Sequence, residues 1–272
     1  MGCALIRKIG GSLAAKICGV SEYGTQWDAW RTLVDGWQPE TNLPMRVGKA
    51  LEKELLPELY RERLPSGSAL YPSQEIDVNE WARAHLDAVM VMHDQRRVVE
   101  YKTASIRTMA KWGDSEDAIP TDYLMQVQFY MWASGYELAD VAVLLGNEDF
   151  QVRTIHRDSE LIARMVAQCE RFWFENVVPQ RPPEIDGGKA CAEWIRERYP
   201  VVPSEEKAPL LQASNEDLEL AKMYRDALVL EKEAKAKKSE VSNRLRAKIG
   251  DGRGISGVAL RQKNDVIKVF GE

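Results

Sequence analysis

The sequence predicts a mixed α/β (α+β) fold: a core sheet flanked by helices, then a helical C-terminal extension and a small β-hairpin. Three observations carry this. Two pairs of apolar runs, 84–92 with 97–103 and 140–146 with 150–156, are each joined by three or four polar residues, the spacing of hairpins. Helical patterns with recognisable starts and stops precede, separate and follow those pairs. Beyond a stretch holding Pro179, Pro182, Pro183, Gly187 and Gly188, the composition shifts to a long Lys/Glu-rich helical run.

Taken in order, 10–34 reads as a Gly-Gly-Ser turn followed by short helices, with Ser12 capping the first. Pro44 opens a helix whose stripe is Val47, Leu51, Leu55 and Leu59, kinked or shortened at Pro57. The first hairpin turns at His93-Asp94-Gln95-Arg96. Thr121 or Asp122 caps the next helix, and Gly135 ends it after Ser134. The second strand pair turns at Asn147-Glu148-Asp149, and a helix from Asp158 to about Asn176 completes the core near residue 178. The prolines and glycines that follow read as a linker. Residues 216–249 read as one long helix, and 255–261 with 266–270 as a terminal hairpin. The expected division is a core domain over 1–200 and a basic helical extension over 201–272.

The chain has 272 residues, 37 basic and 42 acidic, a net charge of −5, and is 44% hydrophobic and 29% charged. That is a globular composition rather than a disordered one. No apolar run nears the roughly 18 residues of a membrane span. The first eight residues put their charges after a short apolar stretch, which is not the pattern of a secretory leader. Cys3, Cys18, Cys169 and Cys191 lie far apart and suggest reduced thiols. A cytoplasmic protein without a membrane partner is expected. The negative total argues mildly against nucleic acid, but it is unevenly spread. Residues 111–150 hold one basic residue against eight acidic, whereas 231–272 hold eleven basic against six acidic.

The chemistry-bearing residues gather on the first hairpin. A turn centred between Asp94 and Gln95 sets Asp87 opposite Lys102 and Glu100 on its diagonal, about 7–8 Å apart at Cα. Glu100 and Lys102 then share one strand face and Tyr101 takes the other. Two acids and a lysine on an apolar hairpin suit a hard divalent ion, which takes few carboxylates plus waters and phosphate oxygens. The plain alternative is a solvated cross-strand ion pair. Glu52 borders the Leu51 stripe, and Gly48 at i−4 leaves space for its side chain. Gln126 and Tyr130, at i and i+4, share a helix face, while Gln128 points elsewhere and reads as surface. Trp27, Trp30 and Trp173 read as core. Trp81 and Trp112 are the better candidates to meet a nucleic acid. His85 and His156 read as structural, and His93 as exposed.

Together Gly48-x-x-x-Glu52, Asp87, Glu100-Tyr101-Lys102 and Gln126-x-x-x-Tyr130 resemble the PD-(D/E)xK nuclease core in its lambda-exonuclease and RecB-like form. The arrangement is most similar to the YqaJ-type viral recombinase, or phage alkaline exonuclease, family. Four further stretches add to this: 9–21, 45–52, 123–128, and the segment from Phe172-Trp173 to Pro182-Pro183. The resemblance covers roughly 7–200. It departs at Leu86-Asp87-Ala88, where the family often has Pro-Asp-Gly, so the acid is kept and its flanking turn residues are not.

The resemblance implies a restriction-endonuclease-like core sheet. It implies Asp87 and Glu100 as ligands of Mg²⁺ or Mn²⁺, with the carbonyl of Tyr101, and Glu52 holding or positioning a second ion. Lys102 would orient or deprotonate the attacking water, and Gln126 would help hold the water or the scissile phosphate. Tyr130 would support the helix. Ser12, with Arg7, would lie at a 5′-phosphate pocket. The implied activity is 5′-to-3′ exonuclease action on double-stranded DNA ends, leaving 3′ overhangs for a phage single-strand annealing protein, in a homo-oligomer that is a trimer among relatives.

Three rival readings stand beside it. One is another nuclease of the superfamily, Cas4-like, RecB-like or structure-specific. The Cas4-like form is disfavoured because Cys169 and Cys191 lie 22 residues apart with no third cysteine after them. A second is a non-catalytic DNA-binding or recombination scaffold. A third makes the basic C-terminal helix the functional part.

Overall fold

The structure of the protein, a computed structural model, describes residues 7–115, 117–200, 211–262 and 265–270. The stretch before Arg7, on which the leader reading rests and which includes Cys3, lies outside the described residues. Contacts divide the chain into two compact units, Met1–Val201 and Val202–Glu272.

The first unit is built on a five-stranded sheet in the order β1 (Ala69–Asp77), β2 (Arg83–Met92), β3 (Gln95–Ala104), β4 (Leu138–Leu145), β5 (Asp149–His156). All neighbours are antiparallel except β3 and β4. A parallel pair needs a long crossover, and α5 (Thr121–Ser134) supplies it. The mixed sheet flanked by helices is the fold class expected from the sequence. Strand β1 was not expected. It is an edge strand with a weak alternation of exposure and carries Pro72, which only an edge tolerates.

Helices α1 (Gly11–Ile17), α2 (Gln26–Val34), α5, α6 (Ser159–Phe172) and α7 (Lys189–Arg198) bury one face of the sheet, in a core that includes Trp27, Trp81, Phe129 and Met165. The residues 179–188 are therefore no free linker. They lead into α7, which the sequence reading missed and which seats Ala190 and Cys191 in that core and Trp194 beside Trp27 and Trp30. On the other face α4 (Leu55–Arg63) covers Ala88, Met90, Val99, Tyr101, Ala142 and Leu144 with Leu56 and Tyr60. Of the stripe expected on the Pro44 helix, Leu51 and Leu59 pack against this core, whereas Val47 and Leu55 are exposed. That segment is two helices, α3 (Leu43–Lys53) and α4, broken at Glu54. Pro57 explains the break: it has no N–H and its ring excludes the carbonyl four residues back.

Two capping expectations also change. Gly10, not Ser12, is the N-cap of α1, and Pro120, not Thr121 or Asp122, precedes α5. Asp122 instead accepts hydrogen bonds from the Ser21 hydroxyl and the Glu22 amide, tying α5 to the loop after α1. Asp158, where a helix was expected to begin, caps α6 through the amides of Glu160 and Leu161, and Gly135 ends α5 in the left-handed region as expected. Gln128 is a core residue rather than a surface one. Its amide donates to the His156 carbonyl and accepts from the Asp158 amide. Trp81 and Trp112 are buried to within 2% of full enclosure, Trp81 stacked on Trp132 and Trp112 tilted on Tyr123, so neither faces a ligand. His85 and His156 are exposed rather than built into the core, His85 within hydrogen-bond distance of Ser73.

In the second unit α8 (Asn215–Ile249) starts with a Ser214–Asp217 capping box. The expected terminal hairpin is a three-stranded sheet, β6 (Gly254–Ile255), β7 (Ala259–Arg261) and β8 (Ile267–Val269).

Candidate active site

The site forms where the pairing of β2 and β3 fails. Their ladder runs Met92↔Gln95 to Ala88↔Val99 and stops. The register differs by two residues from the expected one, because the loop is only His93-Asp94, with His93 at φ 53°. A two-residue slip keeps every side chain on its face, so Glu100 and Lys102 still share one and Tyr101 the other. Asp87, however, now sits across from Glu100 rather than Lys102. Ala84 and Leu86 pack in the large core and Ala88 and Met90 in the small one, although all four share strand parity. The strand therefore turns over at Asp87, where the sequence had departed from the Pro-Asp-Gly pattern. The Asp87 carboxylate replaces the missing ladder bond and accepts the Tyr101 N–H at 3.0 Å. The Tyr101 carbonyl points to that same opened edge, because a strand residue presents both its backbone groups on one side.

Glu100 is fully enclosed. Its Oε1 accepts from Lys102 Nζ and, at 2.6 Å, from Gln126 Nε2, while its Oε2 is buried with no hydrogen-bond partner. Burial pushes the Glu100 carboxyl up to about 8, against the pull of Lys102, with Asp87 raising it further. Burial works to lower the Lys102 ammonium, but Glu100, Asp87 and Glu52 outweigh it and hold it above its usual value. Glu52 is likewise raised by burial, partly offset by Lys102, with Asp87 and Lys49 also within reach. Glu52, Asp87, Glu100, Lys102 and Gln126 thus share one electrostatic environment, and a cavity of ≈ 390 Å³ opens at Glu52 and Asp87.

Gln126 also donates to the Tyr130 hydroxyl at 2.9 Å. Behind them Gly11 brings α1 against α5. A Cβ at Gly11 would stand 2.6 Å from a Tyr130 ring carbon and 3.0 Å from the Gln126 carbonyl. Gly48 does the same for α3 on β3: a Cβ there would meet Thr103 Oγ1 at 2.9 Å, whereas Glu52 Oε1 is 3.9 Å away. Close approach to the sheet, more than space for Glu52, is the reason for glycine. Ser12 is exposed on α1, and Arg7 is exposed with its guanidinium beside Gly36, so neither touches the carboxylates.

Sequence reasoning missed Tyr123, whose ring lies 5.2 Å from Lys102 Nζ and is backed by Trp112. Its place three residues before Gln126, on the same helix face, was the available signal. It also missed Arg153, whose guanidinium reaches the carbonyls of Trp112, Gly113, Ser115 and Ala118 and so fixes the loop carrying Trp112.

The donor set fits a hard divalent cation. Among the described residues no three His, Cys or acidic side chains form a complete cage by themselves. Two carboxylates, one with a buried oxygen left unpartnered, beside an outward backbone carbonyl are what Mg²⁺ takes when waters and phosphate oxygens fill its remaining positions. A cation there would supply the partner that Glu100 Oε2 lacks and offset the burial of its charge.

Residues 6–137 match the family model described as the YqaJ-like viral recombinase domain. A protein of Bacillus subtilis (strain 168) named uncharacterized protein YqaJ is 26% identical over 251 residues, covering 89% of this chain and 75% of that one. The alkaline exonuclease LHK-Exo of Laribacter hongkongensis, including its structure in complex with dAMP, superposes with a TM-score of 0.50 at 18% identity, covering 70% of this chain and 92% of that one. The latter likeness concerns the fold. The family read from the sequence motifs is the family that these matches return.

Proposed function

Since residues 6–137 match the model of the YqaJ-like viral recombinase domain, we propose that the chain is a metal-dependent phage-type DNA exonuclease acting on double-stranded ends. The reading is 5′-to-3′ removal of nucleotides, leaving a 3′ overhang for an annealing partner. The fold relative bears the name alkaline exonuclease and was solved with dAMP, which accords with a nucleotide product. The observation that carries the reading is the Asp87–Glu100 pair, with the unpartnered Glu100 Oε2, ringed by Glu52, Lys102 and Gln126.

Asp87, Glu100 and the Tyr101 carbonyl would hold a Mg²⁺ or Mn²⁺ ion, and Glu52 would position a second. Such ions lower the pKa of bound water and neutralise charge on a phosphodiester in in-line attack. The rest falls to the chain. With Glu100 engaged in ligation, the Lys102 ammonium is freed to face the phosphate oxygens. There the ammonium would stabilise the charge that develops on the phosphate oxygens. Tyr123 keeps that ammonium at the cleft through its ring face. Gln126, fixed between Glu100 and Tyr130, orients the attacking water or the phosphate. A second copy or more of the chain, in the trimeric arrangement of relatives, would enclose the duplex.

The test is digestion of linear duplex, with and without a 5′-phosphate, in Mg²⁺ and in EDTA, beside covalently closed circles. Mg²⁺-dependent release of mononucleotides from linear duplex alone, faster with the 5′-phosphate, is expected. Cutting of closed circles would overturn the exonuclease reading.

A further inference from the structure

We propose that the outward cationic face of α3, formed by Arg46, Lys49 and Lys53, binds the phosphate backbone of the DNA strand entering the site, an inference that rests on the nuclease reading above. Helix α3 is fixed by the close approach of Gly48 to Thr103, which settles how it is rotated. At about 100° per residue, Glu52 falls roughly 40° from Gly48 and enters the environment of Lys102 and Asp87. Continuing in the same sense, Lys49, Lys53 and Arg46 follow within an arc of about 60°. One helix thus presents an acid to the chemistry and a fan of three cations immediately beside it.

The three cations are unlike most others near the site. Lys102 is paired with Glu100 and Lys111 with Glu22, but among the described residues Arg46, Lys49 and Lys53 have no carboxylate at ion-pair distance. All three are exposed. Lys49 and Lys53 line the same cavity as Glu52 and Asp87. Like charges at i,i+3 and i,i+4 repel, and no ion pair among the described residues offsets the charge of this face. Lys49 and Lys53 lie about 6 Å apart along the helix. A duplex strand presents a phosphate every 3.4 Å or so of its axis, so the pair spans about two phosphate steps. A polyanion whose scissile phosphate is held at the site of Asp87 and Glu100 would lay its neighbouring phosphates along this face.

The experiment is equilibrium binding of a blunt 20-base-pair duplex in EDTA, where no turnover occurs, as a function of KCl. It compares the wild type, Lys49→Ala/Lys53→Ala, and Arg164→Ala/Arg171→Ala as a control with the same charge change on exposed positions of α6. Each phosphate contact contributes roughly 0.9 to the log–log salt slope. The α3 variant should lose about 2 from that slope and the control nothing. Between 50 and 200 mM salt the wild type should therefore weaken about tenfold more than the α3 variant. An unchanged slope in the α3 variant, or an equal loss in both variants, would overturn the inference. The wild type failing to bind duplex or to hydrolyse it in Mg²⁺ would instead strike the nuclease reading itself.

Discussion

Replacing Glu100 by Gln tests the electrostatics of the site without any substrate. In cation-free protein the Glu100 carboxyl titrates near 8 instead of 4.5 because it is buried. A folded-state pKa raised above the unfolded one means that the native state holds the proton more tightly. Stability is then fully present below the unfolded value and declines as pH rises towards 8, levelling off above it. The interval from 4.5 to about 8 sets a ceiling of about 5 kcal/mol on that decline. For a domain of this size it would lower Tm by about 10–20 °C. Glu52 is raised by the same cause and adds in the same direction. Urea denaturation in EDTA at pH 5, 6, 7 and 8 measures it. The wild type should weaken steadily, Glu100→Gln should lie much flatter, and the two should diverge most at pH 8, where the wild type alone carries the buried charge. Millimolar Mg²⁺ should remove the decline in the wild type. Parallel profiles for the two proteins would refute the burial argument.

Three further outcomes follow from the geometry. Lys102→Met should fold and bind duplex normally but lose at least about 100-fold in kcat, as read in a steady-state digestion assay. Gly11→Ala, whose methyl would stand 2.6 Å from Tyr130, should destabilise by about 1–3 kcal/mol and lower kcat by displacing Gln126, measured by denaturant midpoint and turnover. Trp81→Ala should cost about 3–5 kcal/mol in urea unfolding yet leave the salt slope of DNA binding unchanged in the folded protein, separating core tryptophan from ligand contact.

The helix–sheet order was legible because periodicity and turn residues report it locally. The carboxylates were legible because two acids and a lysine on one apolar hairpin conflict with ordinary burial. The register was not, since it depends on whether His93 or Asp94 begins a two-residue loop, a local choice worth one residue of turn but two of pairing. The edge strand β1 was hidden by Pro72 and a weak alternation, and α7 by the prolines before it. Trp81 and Trp112 were misread because position between the long elements says little about burial: Trp112 ends a short 3₁₀ turn, Met109–Trp112, and is enclosed. The turn-over of β2 at Asp87 is tertiary, and nothing in Leu86-Asp87-Ala88 announces it. The cationic face of α3 needed the contact of Gly48 with Thr103 to fix the helix rotation, which no spacing provides.

Among the described residues, Arg153 grips its loop by main-chain carbonyls, those of Trp112, Gly113, Ser115 and Ala118. Carbonyls are common to every amino acid, so the shape of that segment is set from outside and is indifferent to most of the side chains it displays. Related chains could exchange those side chains while Trp112 stays seated behind Tyr123. The anchor is in this sense a socket, one that lets the side chains of the loop diverge while the packing behind Tyr123 stays fixed.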